Sequence, residues 1–136
     1  MQVFVPETTF SEIAQVLDYR RLGKQRVETF QILKANLGLT KGWINHPASR
    51  MWRGHEAGLS AYGQAICEAW IALGYKDTTL EKIVALVKPD PTDLPEWWGR
   101  EDIILSHRSN LVRKFPEHYR PLWGNIPDDL PYIWVA

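Results

Sequence analysis

The chain has one cysteine, Cys67, among 136 residues, so an intrachain disulfide is excluded. Set in an apolar helical pattern with Ile66, Trp70 and Ile71, that thiol reads as a packed side chain of a reducing compartment. An excess of charge of either sign is also missing, because 16 basic residues balance 16 acidic ones. No bulk attraction to a polyanion follows, and any basic surface has to be local. No apolar run is long enough to span a bilayer, and the N-terminus lacks a basic stretch followed by an apolar one. A soluble, cytoplasmic protein is therefore expected. The histidines His46, His55, His107 and His118 show neither the i, i+4 pairing nor the cysteine partners that zinc sites use, so no metal is expected. Glycine-rich phosphate loops and Gly-x-Ser-x-Gly elbows are absent too, which leaves nucleotide cofactors and serine hydrolase chemistry without support.

What is present begins with the stretch Leu17 to Glu28, where Arg20, Arg21, Lys24 and Arg26 lie among apolar residues at helical spacing. The pattern predicts a helix from about Ser11 to about Asn36, capped by Thr8, Thr9 or Ser11 and stopped at Gly38. On a helical wheel Val16, Tyr19, Leu22, Gly23, Val27, Phe30 and Leu33 share one side, which should pack. Asp18, Arg21, Lys24, Gln25 and Glu28 share the opposite third as one mixed-charge strip. The strip reads either as a solvated face laced by ion pairs or as a face that meets a charged ligand. Arg20 and Arg26 fall in or beside the apolar arc and must reach out, pair inside it, or meet an anion. Gly23 implies a close neighbour or a bend.

Farther on, Thr40 to Gly54 is a connector holding Trp43, Asn45, His46, Pro47, Trp52 and Arg53. It reads as a loop that docks both tryptophans on the core, or as one that faces a ligand. Pro47 pushes His46 out of helical geometry. His55 or Glu56 opens a core helix that runs to Gly74, and Asp77, Thr78 or Thr79 caps a shorter one over Leu80 to Val87. Three prolines mark Lys88 to Gly99 as a loop, and helical spacing resumes at Asp102 and ends near Arg113 and Lys114. The segment after Pro116 reads as an aromatic, basic tail, and residues 126–136 must lie across the body. The expected class is all-α: a compact, single-domain bundle of about four helices over residues 1–136, with an extended N-terminal arm and an aromatic-rich C-terminal tail. No unpaired helical face argues for a second copy, so a monomer is expected. The 7 tryptophans should be core or interface anchors, with some able to stack on bases.

The reactive groups left by these exclusions are carboxylates beside amines. Asp18, Glu28 and Glu56 are candidate acids or bases, and Lys24 and the α-amine are candidate nucleophiles. An α-amine has a reference pKa of about 7.7 to 8.0, so a useful fraction is neutral near pH 7 and can form a Schiff base; an ordinary lysine, near 10.4, is almost wholly protonated.

Several short pieces, in order, carry a resemblance: Tyr19-Arg20-x-Leu22 with Arg26, Gly54-His55, Gly74-Tyr75-Lys76-Asp77-Thr78-Thr79, Ser106 with Arg108 and Leu111, and Tyr119 with Gly124. Over nearly its whole length the chain resembles the phage-type pyrimidine-dimer DNA glycosylases of the endonuclease V group. It is closer still to a bacterial and phage branch with Leu-Gly-Lys-Gln-Arg-Val-Glu and Ser-His-Arg-x-Asn-Leu. The resemblance implies an all-α clamp on duplex DNA that flips a nucleotide out and attacks its C1′ through the N-terminal α-amine. The imine then permits β-elimination, with no cofactor. Catalytic candidates are Met1, as the amine, and Glu28 or Asp18, as acid and base. Candidate DNA contacts are Arg20, Arg21, Lys24, Gln25, Arg26, His46, Arg53, His55, His107, Arg108, Arg113, Lys114, Tyr119 and Trp123. The chain departs from the family at two points. Arg21 stands where the family carboxylate follows the Tyr-Arg pair, and the bulky Gln2 stands where a small residue becomes the terminus after Met removal. Alternative readings are a DNA-binding module without catalysis, or a glycosylase for hypermodified bases.

Overall fold

Seven helices make up the computed structural model, which describes residues 1–135. Ala136, the last residue of the expected tail, lies outside the described residues. The long helix expected from Ser11 to Asn36 is two, α1 (Phe10–Val16) and α2 (Tyr19–Asn36). Thr9 caps α1 by accepting from the Glu12 amide at 3.1 Å and donating to its carboxylate at 2.8 Å. The break falls where Leu17 and Asp18 are both extended, and Asp18 becomes the N-cap of α2. A short carboxylate that satisfies the first amides of a new helix outweighs continuation of the old one. Rotation at this break shifts the packed face of α2 to Leu22, Gln25, Thr29, Ile32 and Leu33, and leaves Tyr19 and Val27 about half exposed.

Within the connector expected to be a loop, Pro47–Trp52 forms α3. Pro47 occupies its first turn, where a missing N–H costs nothing, and His46 caps it by accepting from the Ala48 amide through Nδ1 at 3.0 Å. Trp52 docks in the core, but Trp43 is 46 % exposed and held at φ 66°. Glu56–Ala72 is α4, the core helix. Two close approaches seat it on α2: the Trp70 ring lies 3.0 Å from where a Cβ on Gly23 would stand, and a Cβ on Gly63 would meet Thr29. The close neighbour of Gly23 is thus an indole. Asp77 accepts from the Leu80 amide and opens α5 (Thr79–Leu86).

Helix α6 (Glu101–Lys114) buries its polar residues Ser106, His107, Ser109 and Asn110. The C-terminal segment lies across them. Ser106 donates to the Pro131 carbonyl, Ser109 accepts from the Leu130 amide, and Asn110 donates to the Leu130 carbonyl. Pro116 opens a seventh helix, α7 (Pro116–Trp123), where the expected aromatic tail would have begun. The first residues do form an arm, and it is threaded through the core: Val3, Phe4 and Val5 are at most 5 % exposed. They join one apolar cluster with Ile13, Leu33, Trp52, Tyr62, Ile66 and Leu111. Among the described residues no helix is long and apolar enough to cross a membrane.

Candidate active site: the cleft around the first residue

Burying the arm beside α2 brings the chain's start to the charged strip. A cleft of about 410 Å³ is lined by Met1, Gln2, Phe4, Arg20, Arg21, Lys24, Gln25, Glu28, Lys114 and Tyr132. Four of its side chains come from the face of α2 carrying residues 21, 24, 25 and 28, neighbours at spacings of three or four. Arg20, Arg21, Lys24 and Lys114 bring positive charge, and Glu28 is the one carboxylate among the lining residues.

Glu28 is tied to the arm. Its Oε2 accepts from the Gln2 amide at 3.3 Å and from Gln25 Nε2 at 2.9 Å. One residue of backbone separates the Gln2 nitrogen from the α-nitrogen, which covalent geometry therefore holds within about 7 Å of that oxygen. Burial lowers the pKa of His46, the positive N-terminus lowers it further, and Glu28 partly opposes both. His46 therefore lies within the field of the same amine and carboxylate. A row of rings runs beside them: Tyr132 on Trp134 at 5.4 Å between centroids, Trp134 on His46 at 5.8 Å, and His46 on Trp43 at 5.5 Å.

Of the candidates read from the sequence, Met1, Glu28, Arg20, Arg21, Lys24, Gln25 and Lys114 meet in this cleft. Others are placed elsewhere. Asp18 is 3 % exposed, caps α2, pairs with Arg21 at 3.3 Å and accepts a 2.5 Å bond from the Tyr119 hydroxyl. Tyr119 is itself buried, and Trp123 stacks on it at 5.1 Å. His107 is fully buried, its Nδ1 accepting from the Val5 amide at 2.8 Å, and desolvation depresses its pKa to about 3. Arg108 donates to the Pro6 carbonyl at 2.7 Å and pairs with Glu7 at 2.9 Å, which fastens the arm. Arg113 donates to the Asp128 and Leu130 carbonyls and fastens the C-terminal segment. Arg26 takes the option of pairing inside, forming an ion pair with Asp77 beneath the Trp70 ring. Burial pushes the Asp77 carboxyl up, but the Leu80 amide and Arg26 together hold it below its usual value. Arg53 donates to the Ile44 carbonyl, and His55 pairs with Asp93 at 2.9 Å; both line a different hollow with Arg50 and Arg100. Cys67 is buried and its thiol is pushed up to about 12, which removes it from nucleophilic chemistry.

Sequence reasoning missed Gln2, Phe4 and Tyr132 as parts of the cleft. The first two follow from placing the arm against α2. Tyr132 had no signal beyond the expectation that the end of the chain crosses the body.

The structure is all-helical, and one cationic cleft holds the first residue beside a single carboxylate, Glu28. The family model for pyrimidine dimer DNA glycosylase matches residues 1–82, and the chain belongs to that family. The match takes in the arm, α1 to α4 and the first part of α5, whereas Lys114 and Tyr132 come from the segment beyond it. No curated protein and no solved structure matches the chain.

Proposed function

We propose that this protein is a DNA glycosylase that removes a damaged or modified pyrimidine from duplex DNA and then cleaves the strand at the abasic site, with the Met1 α-amine as nucleophile and Glu28 as acid and base. The observation that carries this reading is the bond from the Gln2 amide to Glu28 Oε2, which ties the start of the chain to a carboxylate inside a cationic cleft.

The chemistry balances with these groups alone. The neutral α-nitrogen gives its lone pair to C1′, the C1′–N bond breaks, and the base leaves with that pair and takes up a proton. The attacking nitrogen, now cationic, gives a proton to Glu28, which passes it to O4′ as the sugar ring opens to the imine and so returns to its carboxylate form. The Glu28 carboxylate removes a proton from C2′, a C2′–C3′ double bond forms, and the 3′ phosphate leaves. Water then hydrolyses the imine and frees the amine. Arg20, Arg21, Lys24 and Lys114 suit the phosphates that flank an extruded nucleotide. The half-exposed rings of Trp43 and Trp134 offer faces for an unstacked base. Between the two carboxylates weighed from the sequence, Glu28 is preferred because Asp18 is capped over and bonded to Tyr119.

Borohydride trapping on a duplex with one abasic site tests this, using protein whose first residue is verified as Met1 by mass beside a copy with an N-terminal extension. An adduct formed only by the unextended protein is expected. Trapping by both would move the nucleophile to a side chain such as Lys24. Salt-sensitive duplex binding without an adduct from either would leave a DNA-binding module.

A further inference from the structure

Gln25 is among the candidate DNA contacts, but its amide has nothing left to offer DNA. The residue is 1 % exposed. Its Oε1 accepts from the Phe4 amide at 3.0 Å and from the Tyr62 hydroxyl at 2.9 Å. Its Nε2 donates to the Gln2 carbonyl at 2.8 Å and to Glu28 Oε2 at 2.9 Å. Both acceptor sites and both N–H groups are therefore occupied, the full capacity of a carboxamide. Those partners also fix which way the amide faces, because the Phe4 amide can only donate and the Gln2 carbonyl can only accept. Tyr62 is fully buried, and its one hydroxyl proton is shared between Gln25 Oε1 and the Phe4 carbonyl, which lies at 2.8 Å.

We infer that Gln25 is a positioning residue for the cleft: one buried amide grips the arm at Gln2 and Phe4 and Glu28 at once, and so sets the separation between the α-amine and the carboxylate. This rests on the roles proposed for Met1 and Glu28. Both bonds to Glu28 fall on Oε2, so Oε1 is the oxygen left for proton transfer. A core glutamine needs partners, but nothing about packing requires them to be the two ends of the reacting pair. The arrangement is specific to an amide, since a carboxylate at this position would face the Gln2 carbonyl and Glu28 with lone pairs.

Two variants test it, each compared with wild type for turnover and affinity on an abasic duplex and for Tm. Gln25→Glu is nearly isosteric. When protonated its one O–H can still donate to Glu28, though no longer to the Gln2 carbonyl as well; when ionised it repels Glu28. Its kcat is therefore expected to match wild type within about threefold at the acid end and to fall on the order of 10²-fold as pH rises, a limb that wild type lacks. KM should stay within about twofold, since the cationic side chains are untouched. Gln25→Met removes the grip without adding charge and should lose kcat at every pH. A wild-type pH profile in Gln25→Glu would overturn the inference. So would parallel loss of kcat, affinity and Tm in both variants with no pH-dependent limb, which is what a purely structural glutamine produces. Absence of turnover in wild type would instead sink the underlying assignment of Met1 and Glu28, and it is read from the wild-type arm alone.

Discussion

The molecule holds two clusters of basic residues that look alike in sequence and do different work. The early one, Arg20, Arg21, Lys24 and Arg26, sends three of its members into the cleft, Arg21 while paired with Asp18, and Arg26 is withdrawn into a pair with Asp77. The late one is mostly committed inward: Arg108 holds the arm, and Arg113 and Arg120 hold the C-terminal segment through the carbonyls of Asp128, Leu130, Gly124 and Ile126. Lys114 alone of the late cluster reaches the cleft. An arginine fork bonded to backbone carbonyls is a structural clamp, and a lysine or arginine projecting from a helix face toward open space is an electrostatic one. Counting charges does not separate them.

The sharpest division concerns the one carboxylate inside the cationic cleft. Glu28→Gln keeps the shape and the hydrogen-bond acceptor for the Gln2 amide while removing the base. Turnover on an abasic duplex should fall about 10² to 10⁴-fold, with duplex affinity unchanged or slightly improved. Retained turnover would mean that Glu28 only anchors the arm. Next come the clamps. Arg108→Ala leaves the Pro6 carbonyl without its side-chain donor and Glu7 with Trp123 Nε1 alone, and Arg113→Ala takes a donor from the Asp128 and Leu130 carbonyls. Each should cost roughly 2 to 3 kcal/mol in denaturant unfolding, with the salt dependence of DNA binding little altered. A reduced salt slope in a variant of undiminished stability would return these arginines to the interface.

A good part of this is legible in the sequence. The helical class and the strip of Arg21, Lys24 and Glu28 come from periodicity and from the charges, and the N-terminal arm comes from Pro6; Gln25, expected on that strip, turns into the packed face. The break at Asp18 is harder to see, because the apolar spacing of Val16, Tyr19 and Leu22 runs on across it; the clue is an N-cap residue in mid-pattern. Helix α3 hides behind turn formers, although Pro47 after a capping histidine is a legitimate helix start. The polar set on α6 looks like a surface, and the reason it is not lies far off in the chain: the backbone of residues 130–133 supplies its partners. Backbone groups carry no letter in the sequence, so contacts made to them cannot be read from it.

His107 sharpens the same point, as a polar residue of α6 that serves the fold. Its folded pKa, about 3, lies below the unfolded value near 6.5. Below 6.5 the unfolded chain binds a proton that the folded one refuses. The stability tied to neutral His107 is therefore complete above 6.5 and is lost as pH falls toward 3, at about 1.4 kcal/mol per pH unit. His107→Gln removes this slope. The stability gap between wild type and variant should shrink by about 2 kcal/mol between pH 7.5 and pH 5, measured by urea unfolding at both. A constant gap would mean that the folded imidazole takes up the proton and that the Val5 contact gives way.

The smallest expected effect separates the two clusters most cleanly. Lys24 is exposed on α2, lines the cleft, and belongs to the strip that faces the substrate in the proposed reaction. Lys24→Ala should leave stability within about 0.5 kcal/mol, because an exposed helical lysine replaced by alanine gains propensity and loses little packing. Its signature lies in DNA binding: affinity for duplex lowered about three- to tenfold, and the slope of log K against log salt reduced by about 1, the release of one phosphate contact. The same change at Lys114, across the cleft and outside the family match, should produce the same pair of shifts if both walls hold one strand. A normal slope for Lys114→Ala beside a reduced one for Lys24→Ala would show that α2 alone carries the backbone contacts and that the late cluster serves only to hold the arm and the C-terminal segment in place.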